Sequence, residues 1–281
     1  MKKAIQTVLK NVPKPLLDVA KYPTGVEDKL QDFERAMLQR HQQQVKAKVV
    51  GIVGIGGVGK TTLAKALFNS KRSGYHESSF LYDVRETSVT KSLSYLQRKL
   101  IEDLKHTKNI KIESPDQGIG ILKRHLSHWH ALIIIDDVDH ADQLDGLLPM
   151  KDILHPESLI LVTTRDKHVL KKSGVSLIYN LRGLNPSYST ELFCSYAFFR
   201  PLPPPEFEEL VDWFVTACDG LPLSLKVIGA LLCGENEIYW EEQFDLLCQS
   251  LPKEIQKRLI NWKGSGNIVR YCLLFPRRRQ G

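Results

Sequence analysis

The chain has 281 residues, 42% hydrophobic and 25% charged, an ordinary globular composition with length for one large domain or two modest ones around a sizeable core. The net charge of +7 would suit a nucleic-acid partner, but the basic residues are scattered and only the terminal FPRRRQG forms a patch, so nucleic-acid binding is a disfavoured main role. Five cysteines without a C-x-x-C argue against a disulfide framework or zinc site and for a reducing compartment, cytoplasmic or nuclear; no apolar run reaches the roughly 18 residues of a membrane span, and the N-terminus lacks the apolar core of a secretory signal.

In chain order, residues 1–24 read as a tether: an amphipathic fragment, then Pro13, Pro15 and Pro23. A helix is predicted over 26–46 from Val26, Leu30, Phe33 and Met37. The dense apolar run VVGIVG (49–54) predicts a strand buried on both faces, and TTLAKALFNS has helical periodicity. A strand follows at 80–84, helices at 93–104 and 117–126, and a strand at 131–136. Next come a short helix around HADQLDGLL, a strand at 158–164, a short helix ending at Gly174 and a last strand at 176–181. Apolar strands alternating with helices imply a five-stranded parallel sheet covered on both faces. After Leu184 only helices are predicted, at 187–199, 205–218, 222–233 and 237–249.

Residues 54–61, GIGGVGKT, satisfy G-x-x-x-x-G-K-[ST] between a buried strand and a helix. Successive backbone N–H groups must wrap phosphate oxygens there, and side chains would block their approach. Gly54, Gly56, Gly57 and Gly59 supply that bare backbone, and the start of the following helix adds its positive end. Lys60 brings a charge to the β- and γ-phosphates, the Thr61 hydroxyl can ligate Mg²⁺, and Thr62 completes the binding run. The pattern points to a nucleoside di- or triphosphate.

LIIIDDVD places acids at the end of a buried strand, where a P-loop protein holds its Mg²⁺ partner. Asp136 takes that role, and Asp137 is the candidate to face the attacking water. The plainer alternative is that the two aspartates only end a strand in solvent. In LVTTRD, Arg165 lies just past another buried strand, on the edge where ligands bind, placed to sense a γ-phosphate. His125, His128 and His130 in RHLSHWH read as solvated connection histidines rather than metal ligands.

These segments, in this order, resemble the NB-ARC module of plant TIR-type NBS-LRR disease-resistance proteins, members of the STAND class of signalling ATPases. GIGGVGKTTLAKALFN resembles the family P-loop, and FLYDVRETSVTKSLSYLQRKLIEDL the stretch after it. LIIIDDVDHADQLDGLL resembles the Walker B segment, with Asp139 favouring the TIR-type lineage. LILVTTRDKHVL, YNLRGLNPSYSTELFCSYAF and CDGLPLSLKVIGALL match later family segments. The resemblance covers residues 24–255. It implies an α/β P-loop NTPase domain followed by a small helical, ARC1-like subdomain. It implies an ADP/ATP switch with Mg²⁺ that serves defence signalling and hydrolyses ATP slowly at most. Pro222 then packs on the adenine side and Val26 lines the base.

The expected organisation is a tether (1–24), a P-loop domain (25–184), a helical subdomain (185–253) and an incomplete second helical subdomain (254–281). Family pattern is lost near residue 260, and neither His155 nor His168 replaces the histidine of the missing winged-helix part. The expectation is a retained intron, a frameshift or a truncated gene. Partners implied are an adenine nucleotide and either a full-length receptor or a second copy. Two rival readings stay open: a nucleic-acid-stimulated P-loop ATPase, and an interaction protein modulating full-length receptors.

Overall fold

The computed structural model describes residues 15–39, 48–149, 154–175 and 177–250. Residues 40–46 of the first predicted helix, residues 1–14 of the tether, Cys272, the basic terminal patch and the 254–281 segment lie outside the described residues. Contacts divide the chain between Arg182 and Gly183.

The first unit is built on five strands: β1 (Lys48–Val53), β2 (Glu77–Leu81), β3 (Ala131–Val138), β4 (Leu159–Thr164) and β5 (Leu177–Asn180). Their order is β2-β3-β4-β1-β5, and every pairing is parallel. The inner strands read as apolar runs because helices cover both faces, so successive side chains are buried whichever way they point. In β3 every residue from Ala131 to Asp136 is buried. The helices are α1 (Val26–Gln39), α2 (Lys60–Lys71), α3 (Val84–Thr90), α4 (Leu93–Lys105), α5 (Pro115–His125), α6 (Ala141–Leu147) and α7 (Lys167–Lys172). Leu96, Leu100, Ile101 and Leu104 form the buried stripe of α4, at the spacing its sequence prescribes. Ser92 and Ser114 cap α4 and α5 by accepting from the backbone N–H of Tyr95 and Gln117.

The second strand departs from the prediction. It runs over Glu77–Leu81, three residues earlier than the apolar run at 80–84 suggests. As an edge strand it pairs only with β3, from Glu77 opposite Ala131 to Leu81 opposite Ile135, so its polar half needs no apolar cover. Buried Ser79 is satisfied by donating to the Asp103 carboxylate at 2.6 Å. Asp83 then turns left-handed, with φ 45°, and starts α3, a helix the sequence reading lacks. With seven residues and only Val84 buried, α3 shows no amphipathic period to find.

Residues 15–18, within the segment read as a tether, lie along α2. The Asn69 side-chain amide accepts from the Leu17 N–H at 2.9 Å and donates to the Leu17 carbonyl at 2.8 Å. Lys65 and Arg72 donate to the carbonyls of Asp18 and Pro15.

The second unit is helical: α8 (Pro186–Ala197), α9 (Glu208–Cys218), α10 (Pro222–Leu231) and α11 (Glu237–Ser250), with a 3-10 turn at Pro205–Phe207. Its centre is Trp240, fully buried, with ring contacts to Phe193, Phe198, Phe207 and Phe214 at 4.8–5.8 Å. The indole N–H donates to the Leu232 carbonyl at 3.0 Å, so the buried polar end is satisfied. Burial pushes the Cys194 and Cys218 thiols up to about 12, which makes them inert at neutral pH. Among the described residues no disulfide joins the cysteines, and no helix is long and apolar enough to cross a membrane.

Candidate functional site

Parallel strands end on one edge of the sheet, and the loops leaving those ends form the site. β1 ends at Val53 and α2 begins at Lys60, so Gly54–Gly59 is the connecting loop. Gly57 and Gly59 sit at φ 79° and 99°, where side chains are strained. Gly54 is there because a Cβ would fall 2.8 Å from Val58 and 3.0 Å from the Leu181 carbonyl oxygen. At Gly56 a Cβ would lie 3.3 Å from the Arg165 guanidinium, so the bare backbone also makes room for that side chain.

Lys60 is buried, and its ammonium donates to the carbonyls of Gly54 and Ile55 at 2.9 and 3.0 Å, which uses two of its three donors. Burial, then the Arg165 and Arg85 guanidiniums, push its pKa below the usual lysine range, against the pull of Asp137 and Asp136. A phosphate placed here would favour the charged form, so the site suits an anionic ligand.

Asp136 is fully buried at the end of β3. Its carboxylate accepts from the Thr61 hydroxyl at 2.9 and 3.0 Å and from the Thr163 hydroxyl at 2.7 Å. Thr163, on β4, escaped the sequence reading. Its signal is a hydroxyl near the end of an otherwise apolar strand. Burial raises the Asp136 carboxyl above the usual range, the Thr163 and Thr61 hydrogen bonds oppose that, and Asp83 and Asp137 add to the rise. Thr62 stands beside Thr61 in the first turn of α2.

Asp137 follows at φ 56°, where the β3–β4 register shifts between Ile135 and Val138. Such a bulge turns a side chain away from the ladder. The carboxylate meets two cations: Arg85 at 3.0 Å and Arg165 at 3.4 Å. Arg85, from the start of α3, is the second residue that sequence reasoning missed. Its signal is a charged DVRE immediately after a buried strand.

Val26 and Pro222 are not part of this cluster of contacts. Val26 opens α1, which packs on α2 and brings Phe33 edge-on to Tyr179 of β5 at 5.2 Å. Pro222 opens α10 in the second unit. Of the three histidines, His128 is exposed as expected, whereas half-buried His130 is in ring contact with Tyr75, His76 and His155, and half-buried His125 stacks on Trp129. Among the described residues no group of three or more His, Cys, Asp or Glu side chains is arranged to hold a metal ion.

The Thr61 hydroxyl and the Asp136 carboxylate nevertheless fit Mg²⁺, which takes oxygen ligands and is usually held by one or two protein groups completed by water and phosphate. Without a cation the buried Asp136 charge is costly. Asp136→Asn is therefore expected to raise the apo melting temperature by roughly 2–4 °C, about 1 kcal/mol for a unit of this size. The same change should abolish any Mg²⁺ dependence of nucleotide binding. Differential scanning calorimetry and titrations with and without Mg²⁺ check both. A lower melting temperature with Mg²⁺ dependence retained would contradict the assignment.

The fold is similar to those of Cdc6p from Pyrobaculum aerophilum (TM-score 0.51, 12% identity, 75% of this chain and 62% of that one) and the Orc1 protein of Aeropyrum pernix (TM-score 0.50, 14% identity, 90% and 75%). Both support the P-loop NTPase-like α/β architecture and nothing finer. Among curated proteins, the disease resistance protein RPV1 of Vitis rotundifolia is 33% identical over 260 residues, covering 92% of this chain. RUN1 of the same species is 33% identical over 256 residues, and RPS6 of Arabidopsis thaliana 31% identical over 258. The chain spans only 18% of the length of RPV1 and 19% of RUN1. The NB-ARC domain model matches residues 27–202, which include the P-loop, Asp136, Asp137 and Arg165. The chain belongs to the NB-ARC family.

Proposed function

We propose that this chain is the ADP/ATP-binding switch module of a plant disease-resistance receptor. The observation that carries the reading is the convergence of Lys60, the Thr61–Asp136–Thr163 cluster and Arg165 on one edge of a parallel sheet. Three separate strand ends supply a phosphate cradle, a carboxylate suited to a metal and a partly exposed cation, which together suit a nucleotide polyphosphate. The resistance-protein relatives, similar over most of this chain, support the defence role.

In this reading the glycine-loop amides, Lys60, Thr61 and Thr62 hold the phosphates. Thr61 and Asp136 would hold Mg²⁺, which would supply charge neutralisation for the phosphates. Arg165 senses the terminal phosphate, and Asp137 orients water for slow hydrolysis. Val26 and Pro222 contact the base. Only ligands with different contacts in two conformations shift the balance between them. A swing from 1:99 to 99:1 needs about 5.5 kcal/mol of differential binding. In this reading the module acts in the cytoplasm or nucleus, with a fuller receptor or a second copy as its protein partner.

Calorimetric titration of the purified chain tests this reading. ADP is expected to bind at about 1 μM or tighter, near 8 kcal/mol. Well-folded protein that neither carries nor takes up adenine nucleotide would overturn it. Stimulation of ATP turnover by DNA or RNA would replace it with the nucleic-acid reading.

A further inference from the structure

Arg85 has no role in the scheme above, yet the topology sets it in the site. β2 and β4 flank β3 in the sheet, so the segments after them approach the end of β3 from opposite sides. Arg85 comes from the β2 side and Arg165 from the β4 side, and both close on Asp137 between them. The Asp137 side chain is only 16% exposed, while those of Arg85 and Arg165 are 39% and 53% exposed. The carboxylate is thus the enclosed member, and the guanidiniums are the solvent-accessible ones.

We propose that Arg85 is a second ligand for the terminal phosphate, beside Arg165, and that both guanidiniums reach it by leaving the Asp137 carboxylate. This rests on the nucleotide reading above and adds a residue to it. A terminal phosphate carries more charge than a carboxylate and offers three acceptor oxygens to a planar fork of N–H donors. It therefore competes for the same two cations. When it wins, Asp137 loses both partners and its oxygens become available to a water molecule. When it is absent, the Asp137 pairs re-form and the carboxylate is blocked. The Arg165 guanidinium lies against the glycine loop, where a Cβ on Gly56 would fall 3.3 Å from it, and Arg85 shares its carboxylate partner.

The two sides of the pair should shift nucleotide preference in opposite directions. Arg85→Gln is expected to weaken a non-hydrolysable ATP analogue roughly tenfold more than ADP, the loss of one charge-assisted contact. Arg85→Lys should recover part of that loss. Asp137→Asn removes the competing anion and keeps a residue that tolerates positive φ, so preference for the ATP analogue over ADP should rise. In the double variant the preference should fall back toward wild type.

Equal weakening of both nucleotides by Arg85→Gln would make Arg85 merely structural and overturn the proposal. A gain from Asp137→Asn that persists in the double variant would do the same, since Asp137 would then act by charge alone. If Arg85→Gln does not fold, Asp137→Asn alone decides, and unchanged preference refutes the exchange. Wild-type protein that binds neither nucleotide brings down the parent reading instead, a separately recognisable result.

Discussion

Lys60→Ala is expected to weaken ADP and Mg-ATP binding at least about tenfold, a loss of 1.4 kcal/mol or more. The ammonium is the buried cation of the cradle, and its pKa is depressed by burial and by two neighbouring arginines. Such a group is under-compensated without an anion and gains most when phosphate arrives. The same argument fixes a second readout. Because the buried charge is costly in the free protein, Lys60→Ala should leave the apo melting temperature unchanged or slightly raised. Calorimetry for affinity and scanning fluorimetry for stability separate lost ligand contact from lost fold. Unaltered ADP affinity in the well-folded variant would remove Lys60 from the site.

The other large effect is expected at Trp240. Truncation to alanine empties the centre of the helical unit, strips ring contacts from Phe193, Phe198, Phe207 and Phe214, and removes the hydrogen bond to Leu232. Losses of this kind run to about 3–5 kcal/mol. That is comparable with the whole stability of a small domain. Helices α8–α11 are expected to melt, visible as lost helical ellipticity, while the sheet unit keeps its own core. The nucleotide readout then tests the role of Pro222. If Pro222 helps hold the base, ADP affinity falls although the phosphate cradle is untouched. Affinity that survives melting of α8–α11 would remove Pro222 from the nucleotide site.

How far the site was legible depends on chain proximity. Gly54–Thr62 is one local motif, legible as a candidate site because loop, helix start, lysine and hydroxyl are consecutive. Asp136 and Arg165 stood out as candidates by position, each at or just past an apolar strand. Thr163 and Arg85 did not, because their roles arise from neighbours 27 residues away for the Thr163–Asp136 bond and on a different strand for Arg85. The β2 boundary was misplaced for a similar reason. An edge strand with a buried serine bonded to Asp103 carries little hydrophobic signal, and seven-residue α3 carries none.

By itself, then, the sequence determined the five-stranded parallel sheet, the helical second unit and the phosphate-binding loop. Each depends on hydrophobic period or on consecutive residues, and both are written along the chain. Only the tertiary structure decided that Asp137 is clasped by two arginines from opposite neighbours of β3, and that Asp136 is held by hydroxyls from α2 and β4. The physical reason is strand order: β3 lies between β2 and β4, and the pairing that sets them side by side is made of backbone bonds that no side-chain pattern announces.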